Sequence, residues 1–312
     1  TGTVSGTTYS WTNNNTTIGL GASGTGNLPS FTTTNTTTNP LTATITVTPR
    51  TPNPTGCEGL PEIFTITVYP TPTVNTIANQ VYCNGDVALQ TVISGSVTGT
   101  TFSWTNNNTN IGLGASGTGN IPSFITTNNT NDPITATVTI IPTANGCSGT
   151  ALAYNITINP TPTVVSIADQ AYCHGDSAAI TTVSGPVSGS TFTWTNNNTA
   201  IGLPANGTGN IPAFIATNTG TSPISATITV TVSANGCSGI SSDFVITVNP
   251  MPILSSSLTI PGICSGDSVI YTPTSLTTGT TFAWDRAPIT GIDPTDSSGT
   301  DGINEILQNL TD

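Results

Sequence analysis

The sequence predicts an all-β protein built from tandem sandwiches, and three observations lead to this prediction. First, the segment SWTNNNTTIGLGASGTGN, which starts at Ser10, recurs almost unchanged from Ser103 and from Thr193. Second, apolar residues alternate with polar ones along runs of six or seven residues, as in a strand with one buried face. Third, Gly, Pro and Asn turns separate these runs, and helical periodicity is lacking.

The repeat has a fixed length of about ninety residues, and such a period identifies the folding unit. The tryptophans Trp11, Trp104, Trp194 and Trp284 are separated by 93, 90 and 90 residues. Two series of cysteines keep the same interval: Cys57, Cys147 and Cys237 are 90 residues apart, and Cys83, Cys173 and Cys264 are 90 and 91 residues apart.

Proline-rich segments mark the borders of the repeats, at Tyr69, Asn159 and Asn249. They predict two complete repeats, 70–159 and 160–249, between two partial ones, 1–69 without its opening and 250–312 without its closing part. A Pro-x-Pro pair favours extended backbone, so each border is expected to be a short, semi-rigid spacer. The expected arrangement is an extended rod.

Each repeat contains two clear strand patterns. In FTITV, which starts at Phe64, and in TATITV, which starts at Thr42, apolar side chains alternate with threonine. Both patterns return in the next two repeats. The β-branched threonine favours extended backbone and suits an uncharged, exposed sheet face. About seven short strands in ninety residues are typical of an immunoglobulin-like sandwich.

The composition excludes several classes of protein. Only 5% of residues are charged, two of them basic, and the net charge is -12, which argues against nucleic-acid binding. A hydrophobic content of 35% with strand periodicity argues against disorder. No apolar stretch is long enough to predict a membrane span.

The cysteines predict structural disulfides within the complete repeats, Cys83 with Cys147 and Cys173 with Cys237. Each pair is 64 residues apart, and closing such a loop stabilises a fold by about 4 kcal/mol. Zinc binding is the rival interpretation, but no CxxC motif is present and the chain has one His. Disulfides imply an oxidising, extracellular location. Cys57 and Cys264 are interpreted as half-cystines whose partners lie outside this sequence, with a bond between them across chains as the alternative.

No catalytic, cofactor-binding or metal-binding residue is predicted. The four tryptophans are assigned to the core rather than to sugar stacking, because each follows an aromatic residue by two positions in a strand. Asp86, Asp176 and Asp267 are assigned to turns, with calcium as the rival ligand. His174 is assigned to a surface turn. The acidic group in the last repeat, Asp293, Asp296, Asp301 and Glu305, lacks the spacing of a calcium loop.

Several short motifs in this sequence resemble those of PKD-like (polycystic-kidney-disease-like) repeats. They are the PTPTV border, the Tyr-Cys-x-Gly-Asp of Tyr82 to Asp86, the Phe-x-Trp ending at Trp104, the GTGNI from Gly117 and the Asn-Gly-Cys ending at Cys147. Such repeats fill very long surface proteins of Bacteroidetes, including gliding-motility adhesins exported by type IX secretion. The resemblance implies tandem β-sandwiches with an extracellular structural or adhesive role and transfers no catalytic residue.

Two sets of residues are candidate glycosylation sites. Asn14, Asn107 and Asn197 each begin an Asn-Asn-Thr sequon. Asp-Ser-Ala at Asp176 and Asp-Ser-Val at Asp267 resemble the O-glycosylation motif of Bacteroidetes, with Ser177 and Ser268 as acceptors; the second repeat departs from it with Asp86-Val87-Ala88.

The function expected from the sequence is that of a non-enzymatic stalk or filament segment of a cell-surface adhesin. The expected partners are neighbouring repeats, other copies that share sheet edges in a filament, and surface polysaccharide. The alternative is a set of spacer or carbohydrate-binding modules from a secreted polysaccharide-degrading enzyme.

Overall fold

The computed structural model describes residues 4–52 and 56–311, and these residues form an all-β protein. They contain no α-helix, only three single-turn 3-10 helices at equivalent positions of the first three repeats. The chain divides into two compact units, Thr1–Pro160 and Thr161–Asp312.

The first unit begins with one four-stranded antiparallel sheet in the order β2-β1-β3-β4. Its elements are β1 (Thr8–Asn13), the 3-10 helix η1 (Thr16–Ile18), β2 (Ser23–Thr25), β3 (Leu41–Arg50) and β4 (Glu62–Val68). Trp11, Ile18 and Ile45 are buried at the centre of its core, and β4 forms one edge of the sheet.

The same unit continues with repeat 70–159, which has two sheets. Its elements are β5 (Gln80–Cys83), β6 (Val87–Ala88), β7 (Thr101–Asn106), η2 (Thr109–Ile111), β8 (Ser116–Thr118), β9 (Phe124–Ile125), β10 (Ile134–Ala144), β11 (Cys147–Ser148) and β12 (Leu152–Asn159). The main sheet has the order β5-β12-β10-β7-β8, with β11 paired to the end of β10. The strands β6 and β9 form a small second sheet.

The eleven-residue strand β10 is the spine of this sheet. Its first half pairs antiparallel with β12, from Ile134 opposite Ile158, and its second half pairs with β7, including Ile140 opposite Trp104. The edge strand β5 instead runs parallel to β12, with Tyr82 opposite Ile158. The first and last strands of the repeat are therefore direct neighbours.

Apolar and polar side chains alternate along these strands, so the sheet has a buried apolar face (the dry face) and a solvent-exposed polar face (the wet face). The dry face of β10 carries Ala136, Val138 and Ile140, all fully buried, and packs with Trp104 and Tyr154 into one core. The wet face carries threonine, and Thr135 and Thr157 hydrogen-bond across strands at 2.9 Å. Cross-strand Thr pairs stabilise a sheet without adding charge.

The second unit begins with repeat 160–249, which has the same architecture. Its elements are β13 (Gln170–Cys173), β14 (Ser177–Ala178), β15 (Thr191–Asn196), η3 (Thr199–Ile201), β16 (Asn206–Thr208), β17 (Phe214–Ile215), β18 (Ile224–Ala234), β19 (Cys237–Ser238) and β20 (Ser242–Asn249). The main sheet has the order β13-β20-β18-β15-β16, and β13 is again parallel to β20.

The final part of the second unit contains three short antiparallel pairs. Its strands are β21 (Ser268–Tyr271), β22 (Ala283–Arg286), β23 (Ile292–Asp293), β24 (Ser297–Thr300), β25 (Ile303–Ile306) and β26 (Gln308–Asn309). They pair as β21 with β25, β22 with β24, and β23 with β26. Trp284 is only partly buried here, unlike the other three tryptophans.

Candidate functional site

The indole of each buried tryptophan lies directly over a glycine. Trp104 is 4% exposed, and a Cβ atom on Gly117 would lie 2.3 Å from its Cζ2. Trp11 with Gly24 and Trp194 with Gly207 show the same approach. The first glycine of the recurring GTGN is thus explained by close packing on the ring, and these three tryptophans offer no exposed face for a sugar.

The first asparagine of the Asn-Asn-Asn run holds the following loop from inside. Asn106 is 7% exposed and donates its side-chain amide to the carbonyl oxygens of Leu113, at 3.0 Å, and Gly114, at 3.3 Å. Its Oδ1 accepts the N–H of Asn108 at 3.0 Å. Asn13 and Asn196 make the corresponding bonds in their own repeats.

The second and third asparagines bind backbone as well. The Oδ1 of Asn107 accepts the N–H of Thr137 at 2.7 Å, while the residue itself remains exposed. Asn108 caps η2 by accepting the N–H of Asn110 at 3.2 Å, as an N-cap asparagine does. The whole run is therefore a structural motif that anchors a loop to the backbone of β10.

A buried asparagine in the next loop, which was not among the predicted site residues, also has all its side-chain polar atoms hydrogen-bonded. Asn128 is 3% exposed and donates to the carbonyl oxygens of Asp132, at 2.9 Å, and Ile158, at 2.8 Å. Its Oδ1 accepts both the N–H and the hydroxyl of Thr130. The available signal was its spacing, because Asn35, Asn128 and Asn218 are 93 and 90 residues apart, like the tryptophans.

The Cys-x-Gly-Asp segments form tight turns closed by the aspartate. The Oδ2 of Asp86 accepts the N–H of Cys83 at 2.8 Å, and Gly85 between them has a φ of 88°, which favours glycine. Asp176 and Asp267 close their turns onto Cys173 and Cys264 in the same way. Among residues 4–52 and 56–311, no three potential ligands converge on a metal site.

The residue after the cysteine in this turn differs between repeats, but in each repeat its side chain accepts a backbone N–H from a neighbouring segment. We call this hydrogen bond the tether. The Oδ1 of Asn84 accepts the N–H of Asn128 at 2.8 Å. In the next repeat the Nδ1 of His174 accepts the N–H of Asn218 at 3.0 Å, and in the last the hydroxyl of Ser265 accepts the N–H of Asn309 at 2.9 Å. Three different side chains thus supply one acceptor, which explains why a single histidine is found at a repeated position.

The candidate glycosylation residues are all accessible. Asn14, Asn107 and Asn197 are exposed, as are the candidate acceptors Ser177 and Ser268. The acidic residues of the last repeat are arranged differently, since Glu305 forms an ion pair with Arg286 at 3.2 Å. Arg286 also donates to the carbonyl oxygens of Pro294, at 2.8 Å, and Thr295, at 3.2 Å.

The disulfide pairs predicted within repeats are wrong in this structure. Cys147 and Cys173 are free thiols, whereas Cys83 and Cys237 are disulfide-bonded. Cys264 is exposed, and its interpretation as a half-cystine with a partner outside this sequence stays a prediction.

Sheet geometry gives the physical reason. Cys83 is aligned with Asn159, beside the first residues of β10, while Cys147 is aligned with Ala144 at the other end of that strand. Ten residue steps of extended chain separate these ends by about 33 Å. A disulfide requires Cα atoms roughly 4.4–6.8 Å apart. Cys173, opposite Asn249, and Cys237, opposite Ala234, are separated in the same way.

Comparison with protein families matches two stretches of the chain, 80–162 and 170–252, to the PKD-like domain. Together these stretches make up more than half of the chain. The chain belongs to the PKD-like domain family. The first match runs from β5 to just beyond β12, and the second runs from β13 to just beyond β20.

Several solved structures are similar to parts of this chain. The I67–I69 fragment of the titin I-band is 9% identical, with a TM-score of 0.44, and the match covers 78% of this chain and 90% of that one. The DIP-gamma IG1+IG2 structure is 14% identical, with a TM-score of 0.35 and coverage of 57% and 98%. The human desmocollin-1 ectodomain is 14% identical, with a TM-score of 0.26 and coverage of 86% and 59%. No curated protein sequence matches the chain.

The PKD-like repeats use their recurring polar side chains internally. The amides of Asn106 and Asn128 bind backbone, and the carboxylate of Asp86 closes its own turn. Within the described part of the chain, no helix is long and apolar enough to cross a membrane. What the repetition preserves is thus a set of fold-stabilising contacts.

Proposed function

We propose that this chain is a non-catalytic, load-bearing segment of the stalk or filament of a repetitive extracellular adhesin. The observation that carries the proposal is the parallel pairing of the first and last strands of each complete repeat, β5 with β12 and β13 with β20. A load applied through the two ends of a repeat pulls these neighbours in opposite directions along their length. All hydrogen bonds between them then bear the load together, whereas a hairpin pulled from its open end would lose them one at a time.

The internal use of the recurring side chains supports a structural function over a catalytic one. A repeated catalytic or sugar-binding site would need recurring groups that face solvent. Here the recurring tryptophans Trp11, Trp104 and Trp194 are buried, and the recurring asparagines and aspartates bind their own backbone. This arrangement also counts against carbohydrate-binding modules that rely on these rings.

The extracellular location is supported by two features. Cys83 and Cys237 are disulfide-bonded, and disulfides persist in oxidising compartments. The resemblance to gliding-motility adhesins of Bacteroidetes makes type IX secretion the proposed export route. The exposed Ser177 and Ser268 are the proposed O-glycan acceptors of such a surface protein.

The mechanical part of the proposal is tested by stretching the whole chain with a single-molecule force probe under reducing conditions. Each complete repeat is expected to give one distinct unfolding peak that releases roughly 300 Å of chain, the extended length of about ninety residues. Extension without resolved peaks would contradict the proposal.

Two proline variants test whether the backbone hydrogen bonds between β5 and β12 resist the applied force. The N–H of Asn84 donates to the carbonyl of Asn159. Because bonds between parallel strands recur at every second residue, the N–H of Tyr82 also faces β12 and that of Val81 faces away. Tyr82→Pro is expected to lower the peak force of repeat 70–159 strongly, and Val81→Pro to leave it nearly unchanged. Tyr82→Ala measures the part due to the side chain, and equal effects of both prolines would exclude the proposed mechanism.

The location is tested by antibody labelling of intact cells of the source bacterium. Surface labelling is expected in the parent strain and is expected to be lost when the type IX machinery is deleted. Labelling that requires cell lysis in the parent strain would refute the extracellular assignment.

A further inference from the structure

The two cysteines of a complete repeat are held at opposite ends of its main sheet by rigid local structure. At one end, Cys83 precedes the turn closed by Asp86. At the other end, Cys147 follows a two-residue hairpin turn formed by Asn145 and Gly146, with φ values of 50° and 80°, the geometry of a tight hairpin. Neither end can move by tens of ångströms without dismantling the sheet.

From this placement we propose that the cysteines of these repeats are linking cysteines, each of which forms its cystine with a cysteine of another repeat. The bonding states agree with the separation. Cys83 is disulfide-bonded while Cys147, in the same repeat, is a free thiol, and Cys237 is bonded while Cys173 is free. Each complete repeat therefore carries one bonded cysteine whose partner is not its own second cysteine.

The free thiols are placed to form the same kind of link. Cys173 is exposed and Cys147 is partly exposed, each at one end of a sheet. The partner of each linking cysteine is a cysteine thiol of another repeat. That repeat belongs either to the same chain or to a second copy of the chain. This inference adds a covalent cross-link to the load-bearing function proposed above, but its test does not depend on that function.

The reaction is an oxidation of two thiols. Each thiol loses its proton, the two sulfurs form one S–S bond, and two electrons pass to an oxidant. The oxidant is a disulfide, either a small one such as oxidised glutathione or that of a thiol–disulfide exchange protein, which is reduced to two thiols.

Peptide mapping of the whole chain is the direct test. The reduced protein is folded, oxidised with oxidised glutathione, alkylated with iodoacetamide and digested with pepsin without reduction. Mass spectrometry is expected to find Cys83 linked to a peptide from outside 70–159, and Cys237 to one from outside 160–249. A Cys83–Cys147 or Cys173–Cys237 peptide from the monomer fraction of protein with native β-sheet circular dichroism would overturn the proposal, as would alkylation of all six cysteines.

The double variant Cys147→Ser with Cys173→Ser gives an independent answer. If each disulfide joins one repeat to another, Cys83 and Cys237 stay protected from iodoacetamide in this variant. If they closed within repeats, both would lose their partners and become labelled, which would refute the proposal. Non-reducing electrophoresis of the wild-type chain identifies the source of the linked thiol: a monomer band indicates the same chain, and a reducible ladder indicates a second copy.

Discussion

Gly117 lies so close beneath the ring of Trp104 that a Cβ atom there would be 2.3 Å from Cζ2. The indole and the glycine strand β8 therefore pack without any intervening side chain. The pairing of Trp104 with Gly117 in adjacent strands fixes this approach. The same contact in the first and third repeats makes it a defining feature of the sandwich.

Gly117→Ala is expected to destabilise repeat 70–159 by about 1–3 kcal/mol, because the methyl group must displace the ring or the strand. Hydrogen exchange followed by mass spectrometry measures this locally, with repeat 160–249 as an internal reference. Gly114→Ala is the control, since no atom lies within 4 Å of its Cβ position and Pro204 occupies the equivalent place. Equal protection in the two variants would contradict the packing argument.

Asn128→Ala is expected to be among the most destabilising polar substitutions in the second repeat. It leaves two carbonyl oxygens and the Thr130 N–H without their side-chain partner in a site that is 3% exposed. Unpaired buried polar groups cost about 1–3 kcal/mol each. The neighbouring Asn129 is exposed, so Asn129→Ala is the matched control in the same exchange experiment. A loss no larger than that of the control would show that Asn128 does not anchor its loop.

His174→Asn is expected to preserve the third repeat, whereas His174→Ala is expected to cost about 1 kcal/mol. The reason is that Asn84 already supplies the same acceptor in the second repeat, while alanine leaves the Asn218 N–H without one. Thermal unfolding and local exchange at 217–222 are the measurements. If the asparagine variant loses as much stability as the alanine variant, the tether is not the function of this position.

Because of Tyr154, the stability of the second repeat is expected to fall at alkaline pH in a way that the third repeat does not share. Burial raises the pKa of Tyr154 above its ordinary value of 10.0. The unfolded chain therefore loses this proton first, so the stabilisation is complete below pH 10 and declines as the pH rises further. The equivalent residue of the third repeat, Phe244, is 2% exposed and does not titrate.

Tyr154→Phe should accordingly make the second repeat as resistant to alkali as the third, and Phe244→Tyr should transfer the sensitivity. Exchange protection of both repeats, followed from pH 8 upward and corrected for the intrinsic rate, gives the comparison. An unchanged alkaline profile in Tyr154→Phe would assign the sensitivity to another group.

Much of the architecture could be predicted because the repeat encodes it several times. Alternation in the stretches that became β3, β10 and β18 predicted an all-β immunoglobulin-like fold, and this prediction is confirmed. The disulfide pairing failed for a definable reason. Spacing in the sequence gives loop length, whereas pairing depends on which end of a strand each cysteine reaches, and β10 places Cys83 and Cys147 at different ends.

The tethers were missed because their chemistry is not tied to one residue type. Asn84, His174 and Ser265 share only an acceptor atom, so the sequence shows variation where the structure shows one hydrogen bond. Asn128 was missed because asparagine is common throughout this chain, and only its period distinguishes it.

In the last repeat, Arg286 occupies the position that Asn106 occupies in the second, two residues after the tryptophan. Both side chains donate to carbonyl oxygens of the loop that follows, but the guanidinium also needs a counter-ion, and Glu305 supplies it at 3.2 Å. The Ser297 side chain and the Arg286 cation lower the pKa of Glu305 below its ordinary 4.5. The last repeat is therefore expected to be sensitive to acid through this carboxylate.

The direction of this pH dependence of stability follows from the linkage between proton binding and folding. A carboxyl with a lowered pKa in the folded state contributes stability above pH 4.5, and this contribution is lost as the pH falls through the folded value. Exchange protection of β21 and β25 should thus decline below pH 4.5, while the second repeat, whose loop is held by the uncharged Asn106, should change less. Glu305→Gln removes the titrating group and is expected to flatten the acid profile of the last repeat at a lower overall stability. A Glu305→Gln variant that keeps the wild-type acid profile would show that the ion pair with Arg286 does not govern it.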